Sequence, residues 1–369
     1  MKTRILITLF LSLVISFCTS VDKKKKKCNE TIKVKYNSKV VNIPLGICAK
    51  KQNVENRIWR DISLEYITTF GGLQDTNILH PTIIRPDSSG NIFFIDIGDY
   101  SIKKYSSTGV FLEKYGRYGK GPGEFITPHR FTINHGQIGV IDPNLKKIVV
   151  FNKKEIKEKK LDLAPLHIAS LSKNEFVIFQ IINPIDHSIV QKINILDFNI
   201  RDYDNIFEPN SIGVDFGIFP FLIGDIYSNK KNLFFIPELL DFFIIYSKTG
   251  SIKLVRKTID ERIIPSTKNK RITNSKGEKV FATSFHFPKE QYVNKRMNVT
   301  DKYLYITSSR ASIEYDCYVI DVYSAKSGNY KFSFKLKNIK KTNDIYFTDD
   351  KIYLIDPNTT IKVFQYFYR

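Results

Sequence analysis

Short apolar segments recur in pairs along most of the chain, and a polar turn separates the two members of each pair. In the two clearest copies, an Asp ends the first segment and an aromatic residue follows nine positions later, as from Asp96 to Tyr105 and from Asp142 to Phe151. We count four regular copies and two looser ones, at residues 91–105, 137–151, 232–246 and 351–364, and at 174–196 and 303–323. This spacing predicts six pairs of antiparallel β-strands.

Two strands joined by a turn cannot bury both faces alone, so the predicted units must pack against one another. The copies are about 37 to 70 residues apart, which suits four-stranded propeller blades with variable loops. A solenoid would show a tighter period, and α/β layers would need helical patterning between the strands. The best helix candidate is short, at residues 155–161. We therefore expect an all-β fold, a six-bladed β-propeller.

The two ends of the chain predict how the ring closes. The last copy ends near the C-terminus without a fourth strand of its own, and residues 62–71 resemble the outer strand of the first full blade, 111–116. We expect a strand near 62–70 to complete the sixth blade, because closure removes exposed strand edges. The expected organisation is a signal segment over 1–18, a basic tether with a possible small hairpin over 19–60, and the propeller over 61–369.

One blade junction carries a family resemblance. Its glycine cluster runs from Gly116 to Gly123 and is followed by Phe125, Pro128 and the strands of residues 141–151. This segment resembles the NHL-repeat-like six-bladed propellers of bacterial envelope lipoproteins, strongly over 62–152 and more weakly beyond, where Pro237 replaces the turn aspartate. The resemblance implies the propeller fold, but the fold does not imply one activity.

The N-terminus has the layout of a secretory signal. Lys2 and Arg4 precede an apolar stretch over residues 5–17, and a polar, basic segment follows at once. Cys18 lies directly after the apolar stretch, as in a bacterial lipobox whose cysteine receives a diacylglyceryl group. Phe17 departs from that pattern, so cleavage near residues 19–20 is the alternative. We expect a membrane-anchored lipoprotein of the cell envelope, or else a periplasmic or secreted protein.

Charge and composition limit the classes of binding partner that we expect. The chain has 57 Lys and Arg against 37 Asp and Glu, and 28 Phe and 20 Tyr that favour strands. Five consecutive lysines, residues 23–27, can hold a lipid-anchored chain against anionic head groups or form a solvated tether. No apolar run reaches the length of a spanning helix, which excludes a multi-pass membrane protein. We expect a monomer that binds the membrane and a protein or an anionic glycan or lipid, and no nucleic acid.

Cysteines offer one structural hypothesis. Cys28 and Cys48 flank an alternating segment, and an oxidising envelope would allow a disulfide between them. Cys317 lies in an apolar stretch and is interpreted as an inert core residue. No Cys-x-x-Cys pair or Cys/His ladder indicates structural zinc.

The glycine cluster and the recurring aspartates could be interpreted as a phosphate-binding loop and a calcium site, but their spacing favours neither. The glycine cluster lacks the ending and the context of a phosphate-binding loop, so a loop between blades explains it better. Arg117, Lys120 and Arg130 could still form a basic ligand-binding loop. Asp96, Asp142 and Asp356 recur once in a blade, which indicates Asx turns rather than a calcium site.

Three histidines near prolines form the candidate metal set, His80, His129 and His286. Some lyases with a similar propeller hold zinc with three channel histidines, whereas the alternative is that these residues cap loops by hydrogen bonding. No acid–base partner is identifiable, so we expect no metal and no cofactor.

Two functions from different classes remain. We expect a binding or scaffold module for a protein or an anionic envelope ligand, and more readily a non-enzyme than an enzyme. The alternative is a metal-dependent lyase or hydrolase with its site in the propeller channel. The longest departures from the repeat, 200–225 and 256–296, are where specificity could reside.

Overall fold

The computed structural model describes residues 31–36, 39–44, 47–54, 56–72, 75–153, 155–180, 190–194, 196, 199–204, 224–238, 240–260, 266–273, 279–286, 297–337, 339 and 342–369. The first three strands are β1 (Thr31–Tyr36), β2 (Lys39–Pro44) and β3 (Ile62–Gly71). Blade 1 comprises β4 (Pro81–Pro86), β5 (Ile92–Asp96), β6 (Ser101–Tyr105) and β7 (Phe111–Tyr115). Blade 2 comprises β8 (Arg130–Asn134), β9 (Gln137–Asp142), β10 (Lys147–Phe151) and β11 (Ile156–Lys160).

The remaining blades follow the same order. Blade 3 comprises β12 (Pro165–Ser172), β13 (Glu175–Gln180), β14 (Val190–Asn194) and β15 (Ile200–Asp202). Blade 4 comprises β16 (Gly224–Ser228), β17 (Asn232–Pro237), β18 (Phe242–Ser247) and β19 (Ile252–Lys257). Strands β20 (Ser266–Thr273) and β21 (Lys279–His286) come next, before blade 5, which comprises β22 (Met297–Val299), β23 (Tyr303–Ser308), β24 (Tyr318–Ser324) and β25 (Tyr330–Leu336). Blade 6 comprises β26 (Asp344–Phe347), β27 (Lys351–Ile355), β28 (Thr360–Tyr368) and the early strand β3.

The predicted six-bladed propeller is confirmed, and so is its closure. Each blade is a four-stranded antiparallel sheet, and the repeated segments of the sequence are its second and third strands. The outer strand β3 pairs with β28 from Thr360 opposite Gly71 to Tyr368 opposite Ile62. A strand from the N-terminal part of the chain therefore completes the last blade and covers the edge that β28 would otherwise expose.

The hydrophobic core lies between the blades. Middle strands such as β5 and β9 are buried along their whole length, which is why they read as continuous apolar runs. Between blades 1 and 2, for example, Phe93 and Ile95 pack with Phe131 and Val140 in one cluster. Burial of each large apolar side chain contributes about 1.5–3 kcal/mol, so every blade is stabilised by its two neighbours.

The recurring aspartates act in turns, as the sequence predicts. Asp142 accepts hydrogen bonds from four backbone amides, two in the turn after β9 and two in the loop before β8, those of Asn144 and Leu145 and of Ile126 and Thr127. Asp96 accepts bonds from the amides of Leu79, His80 and Gly98 in the same way. One carboxylate therefore fixes both the strand turn and the entry to its blade.

The glycine cluster is a loop between blades 1 and 2. Gly116 has φ +78°, and a Cβ placed there would lie 2.4 Å from the ring of the buried Phe125. Glu124 closes the loop by accepting bonds from the Gly121 amide and from Arg117. Left-handed backbone and close packing thus explain the glycines.

Residues 47–54 and 56–60, called the N-terminal strap below, run along the outer edges of blades 4 and 5. The Lys50 amide donates to Val255 and the Lys50 carbonyl accepts from the Lys257 amide, in parallel pairing with β19. Ile58 and Arg60 exchange backbone bonds with Ser333 of β25. The strap therefore covers two blade edges before the chain enters β3.

Arg57 anchors the strap between the two blades. Its guanidinium contacts both oxygens of Asp321, at 3.0 and 3.1 Å, and also bonds Asp260 and Ser308. Burial raises the pKa of Asp321 to about 6, although Arg57 acts in the opposite direction. The strap is thus held by a buried ion network as well as by its backbone.

An additional sheet lies outside the ring order. Strands β1 and β2 form an antiparallel hairpin, and β1 pairs in parallel with β20, which pairs with β21. The order β2-β1-β20-β21 joins the N-terminal hairpin to the insertion between blades 4 and 5.

The helix candidate at 155–161 is wrong, because residues 156–160 form β11, the outer strand of blade 2. Backbone pairing with β10 overrides the local preference of this charged segment. The described residues contain one helix, α1 (Ser309–Glu314), between β23 and β24. None of the helices in the described ranges is long and apolar enough to span a membrane.

Candidate ligand-binding site in the channel

A cavity of about 490 Å³ lies at one end of the central channel. The first strand of each blade lines the channel, and the C-terminal ends of β4, β8, β12 and β16, with the turns that follow, form most of the cavity wall. This end is called the cavity end below. Its apolar wall includes Phe131, Ile133, Ile168, Leu171 and Ile226, and its polar groups come from all six blades. A cavity of this size suits a small molecule or the end of a larger one.

Arg85, at the end of β4, is the most buried cation of the cavity lining. Its guanidinium donates to the Tyr227 hydroxyl at 2.7 Å and to Asp344 Oδ2 at 3.2 Å. The rings of Tyr227 and Tyr346 lie 5.2 and 5.0 Å from the guanidinium carbon. Burial raises the pKa of Tyr227, so its hydroxyl stays neutral at physiological pH. Arg85 is therefore fixed in place before any ligand arrives.

His167, on β12, places a buried imidazole in the cavity wall. Its side chain is 3% exposed, and its Nε2 lies 3.1 Å from Asp225 Oδ1. Nε2 faces this carboxylate, which acts on the pKa of His167 as a hydrogen-bond acceptor, whereas Nδ1 has no hydrogen-bond partner among the described residues. A buried polar atom without a partner costs free energy, which a ligand could recover by bonding to it.

Protonation of this histidine is set by burial. Burial lowers the pKa of His167, with Arg130 and Arg85 acting in the same direction, so the imidazole is neutral at pH 7. Burial alone would raise the pKa of Asp225, but His167, Arg130 and Arg85 outweigh it and hold the value at about 2. The channel wall thus contains an ionised carboxylate beside a neutral imidazole.

Two lysines stand at the mouth of the cavity. Lys248 Nζ lies 3.4 Å from the Leu171 carbonyl, and burial lowers its pKa to about 8 despite the nearby Asp301. Lys230 pairs with Asp301 at 3.0 Å and is largely exposed. The lining itself has three cationic side chains, Arg85, Lys230 and Lys248, against one carboxylate, Asp301, while Asp225 and Asp344 contact lining residues from outside the lining. An anionic group in the cavity therefore meets more cationic than anionic side chains.

The three residues of the predicted basic loop are not together. Arg117 and Lys120 are exposed on the loop between blades 1 and 2, which leads into β8 and lies at the end of the propeller opposite the cavity. Arg117 pairs there with Glu124 at 2.8 Å. Arg130 begins β8, and its charge acts on His129, His167 and Asp225 within the channel. The structure therefore separates an exposed loop pair from a channel arginine.

The three histidines of the metal hypothesis occupy different settings. His80 is exposed before β4, and His286 is the last residue of β21 in the additional sheet. His129 is half-buried at the start of the blade 2 inner strand, where burial, Arg130 and His167 lower its pKa to about 4. Among the described residues, no group of three or more His, Cys, Asp or Glu side chains could hold a metal ion.

The structure describes two of the four cysteines, Cys48 and Cys317. Cys48 is disulfide-bonded, and Cys317 is a buried free thiol packed with Ala311 and Val319. Cys28, the expected partner of Cys48, and Cys18, the expected lipid attachment residue, lie outside the described residues. Both assignments stay predictions.

Sequence reasoning missed Arg85, His167, Tyr227 and Lys248. Arg85, His167 and Tyr227 lie on inner strands, whereas Lys248 lies in the turn after β18, the third strand of blade 4. The repeat pattern identified the second and third strands but no residue of the inner strands. The position in the blade could have identified the inner-strand residues. Once the second strand of a blade is assigned, the segment before it must be the first strand, which lines the channel, and a polar residue in that segment becomes a candidate for ligand binding.

Comparison of the sequence with family models identifies the family. A family model described as DUF5128, 6-bladed beta-propeller, matches residues 87–355. The chain belongs to this family. No curated protein matches the sequence significantly.

Three solved structures of other proteins resemble the propeller. A member of the DUF4221 family from Bacteroides vulgatus is 9% identical with a TM-score of 0.54, over 84% of this chain and 98% of that chain. A protein of Bacteroides fragilis, described as a presumed exported protein, is 12% identical with a TM-score of 0.52, over 88% and 99%. An inactive virginiamycin B lyase from Staphylococcus aureus is 14% identical with a TM-score of 0.49, over 82% and 99%. At these identities the two Bacteroides structures show the fold alone.

Proposed function

We propose that this protein is an exported, lipid-anchored propeller that binds a small anionic ligand, or the anionic group of a larger envelope molecule, in the cavity of its channel. The observation that carries the proposal is the lining of that cavity: Arg85, Lys230 and Lys248 surround it, and Nδ1 of the buried His167 has no hydrogen-bond partner among the described residues.

The arrangement suits binding because its donors are held in advance. Two aromatic rings and a carboxylate fix Arg85, so little side-chain entropy is lost when a ligand binds. A guanidinium and an ammonium give charge-assisted hydrogen bonds to carboxylate or phosphate oxygens. The single N–H of the neutral His167 faces Asp225 from Nε2, so Nδ1 can accept one further bond from a hydroxyl of the ligand. The apolar wall can cover the remainder of the ligand.

The proposed export and membrane anchoring are supported by observations other than the cavity. Residues 1–18 have the order of a lipoprotein signal, and the disulfide at Cys48 agrees with an oxidising compartment. The Bacteroides fragilis protein of the same fold is described as a presumed exported protein. The first blades also resemble the NHL-like repeats of envelope lipoproteins, which supports the proposed anchoring to the envelope.

Calorimetric titration with phenyl phosphate tests the binding function. We expect saturable binding at pH 7 that Lys248→Met weakens at least tenfold, because the substitution removes a partly buried charge at the mouth. Binding to the wild type should also weaken as the pH rises above 8, since Lys248 loses its proton there while the phosphate remains a dianion.

Lys120→Met is the matched control, because it removes an exposed lysine from the opposite end of the propeller. It should leave the affinity unchanged. No detectable binding, or an equal loss in both variants, would contradict a site in the channel cavity.

A further inference from the structure

A second cavity, of about 400 Å³, lies between the N-terminal strap and the helix α1. Its wall is formed by Asn56, Arg57, Trp59, Ile259, Asp260, Arg310, Glu314 and Tyr315. The strap, the helix α1 and the turn after blade 4 therefore meet at this cavity. The channel cavity shares none of these residues.

Two aromatic rings form one side of this cavity. Trp59 and Tyr315 pack edge to face with ring centroids 5.1 Å apart, and they are 40% and 39% exposed. The Lys335 ammonium lies over both rings, 4.4 Å from the Trp59 centroid and 3.3 Å from that of Tyr315. The rings are thus held in a fixed arrangement but keep a large accessible area. Exposed aromatic surface in a concave site indicates a ligand that stacks on it.

The remaining lining is polar and balanced in charge. Arg57 and Arg310 are cationic, whereas Asp260 and Glu314 are anionic. Arg57 and Asp260 bond each other, and Arg57 is further bound by Asp321. Arg310, Glu314 and Asn56 add donors and acceptors at the edge of the rings. Lys335 over the rings and Asp321 behind Arg57 add one charge of each sign, so three cationic side chains stand against three carboxylates. Such a site gives no advantage to an ion of either sign, in contrast to the channel.

We propose that this second cavity binds a neutral oligosaccharide. A sugar ring presents an apolar face of C–H groups, which can lie on Trp59 or Tyr315, and a rim of hydroxyls that both donate and accept hydrogen bonds. Paired cationic and anionic side chains satisfy hydroxyls in both roles, because guanidinium groups only donate and carboxylates only accept. This site is independent of the anionic site in the channel.

The chain contains a single tryptophan, so its fluorescence reports directly on this cavity. The experiment titrates the full-length protein with cellohexaose, maltohexaose, xylohexaose and chitohexaose. We expect at least one of them to change the Trp59 emission saturably, in the micromolar to millimolar range. Tyr315→Ala and Glu314→Gln should each weaken that binding fivefold or more, measured by fluorescence and calorimetry.

Tyr118→Ala is the matched control, since Tyr118 is also an exposed tyrosine that packs against another ring, that of Tyr100. It should bind the same sugar with unchanged affinity. The Tm of every variant is measured to establish that it is folded at the temperature of the titration. Absence of a response to all four sugars, or full affinity in Tyr315→Ala, would overturn the proposal. Phenyl phosphate binding in Tyr315→Ala should stay at the wild-type level, so failure here is distinguishable from failure of the channel site.

Discussion

Individual buried charges determine how this propeller is held together and what it can bind. Arg57 neutralises Asp321 and Asp260 under the strap, and Arg85 is held by Asp344 in the channel. The sequence could predict the turn aspartates, because they recur in each clear copy of the repeat. It could not predict these arginines, because each occurs once and meets its carboxylate only through contacts far apart in the chain.

Arg57→Met should lower the free energy of unfolding by about 3–5 kcal/mol at pH 7, because it leaves buried carboxylates without their cation. The loss should shrink at pH 5. Burial already raises the pKa of Asp321 to about 6, and removal of Arg57 raises it further. A carboxyl whose pKa is higher in the folded than in the unfolded state binds a proton more tightly when folded, so the variant regains stability as the pH falls.

Urea unfolding at pH 7 and pH 5 measures this effect. Arg310→Met, which removes an exposed arginine nearby, should change stability by less than about 0.5 kcal/mol at both pH values. An Arg57→Met deficit that is the same at pH 5 as at pH 7 would show that the buried carboxylates are not its cause.

At the level of elements, the predictable strands are the fully buried ones. The middle strands of each blade have neighbours on both faces, so they appear as apolar runs at a regular spacing. Inner strands are mixed in polarity because they face the channel, and outer strands such as β7 are exposed and charged. The prediction of β3 as the closing strand succeeded because residues 62–71 resemble β7, whereas charged β11 was interpreted as a helix.

Deleting residues 62–71 should abolish cooperative unfolding or lower Tm by more than about 10 °C, because blade 6 loses its outer strand and the ring opens. Deleting residues 31–44 should lower Tm by only a few degrees, since that hairpin belongs to the additional sheet. Calorimetric scans of both variants and the wild type provide the measurement. Equal destabilisation would contradict a ring closed by β3.

For the molecule as a whole, the proposed role combines a rigid ring with an anchor at its N-terminus. Cys18→Ala should move the protein from the membrane fraction to the soluble fraction, because no lipid could then be attached. Fractionation of cells expressing each form measures the partition. A variant with Lys23, Lys25 and Lys27 changed to Gln is the control and should remain in the membrane fraction. Unchanged membrane retention of Cys18→Ala would contradict lipid anchoring.

The central claim is that an anionic group enters the channel cavity, where Arg85, Lys230 and Lys248 lie, and contacts His167 in its wall. Nitrogen-detected NMR of the histidine imidazoles tests it most directly, with phenyl phosphate as the probe and His167→Gln to assign the signal. We predict that the His167 resonances shift saturably on titration, while those of His80, exposed at the other end of the propeller, do not move. Unchanged His167 resonances, or an equal response from His80, would contradict the claim.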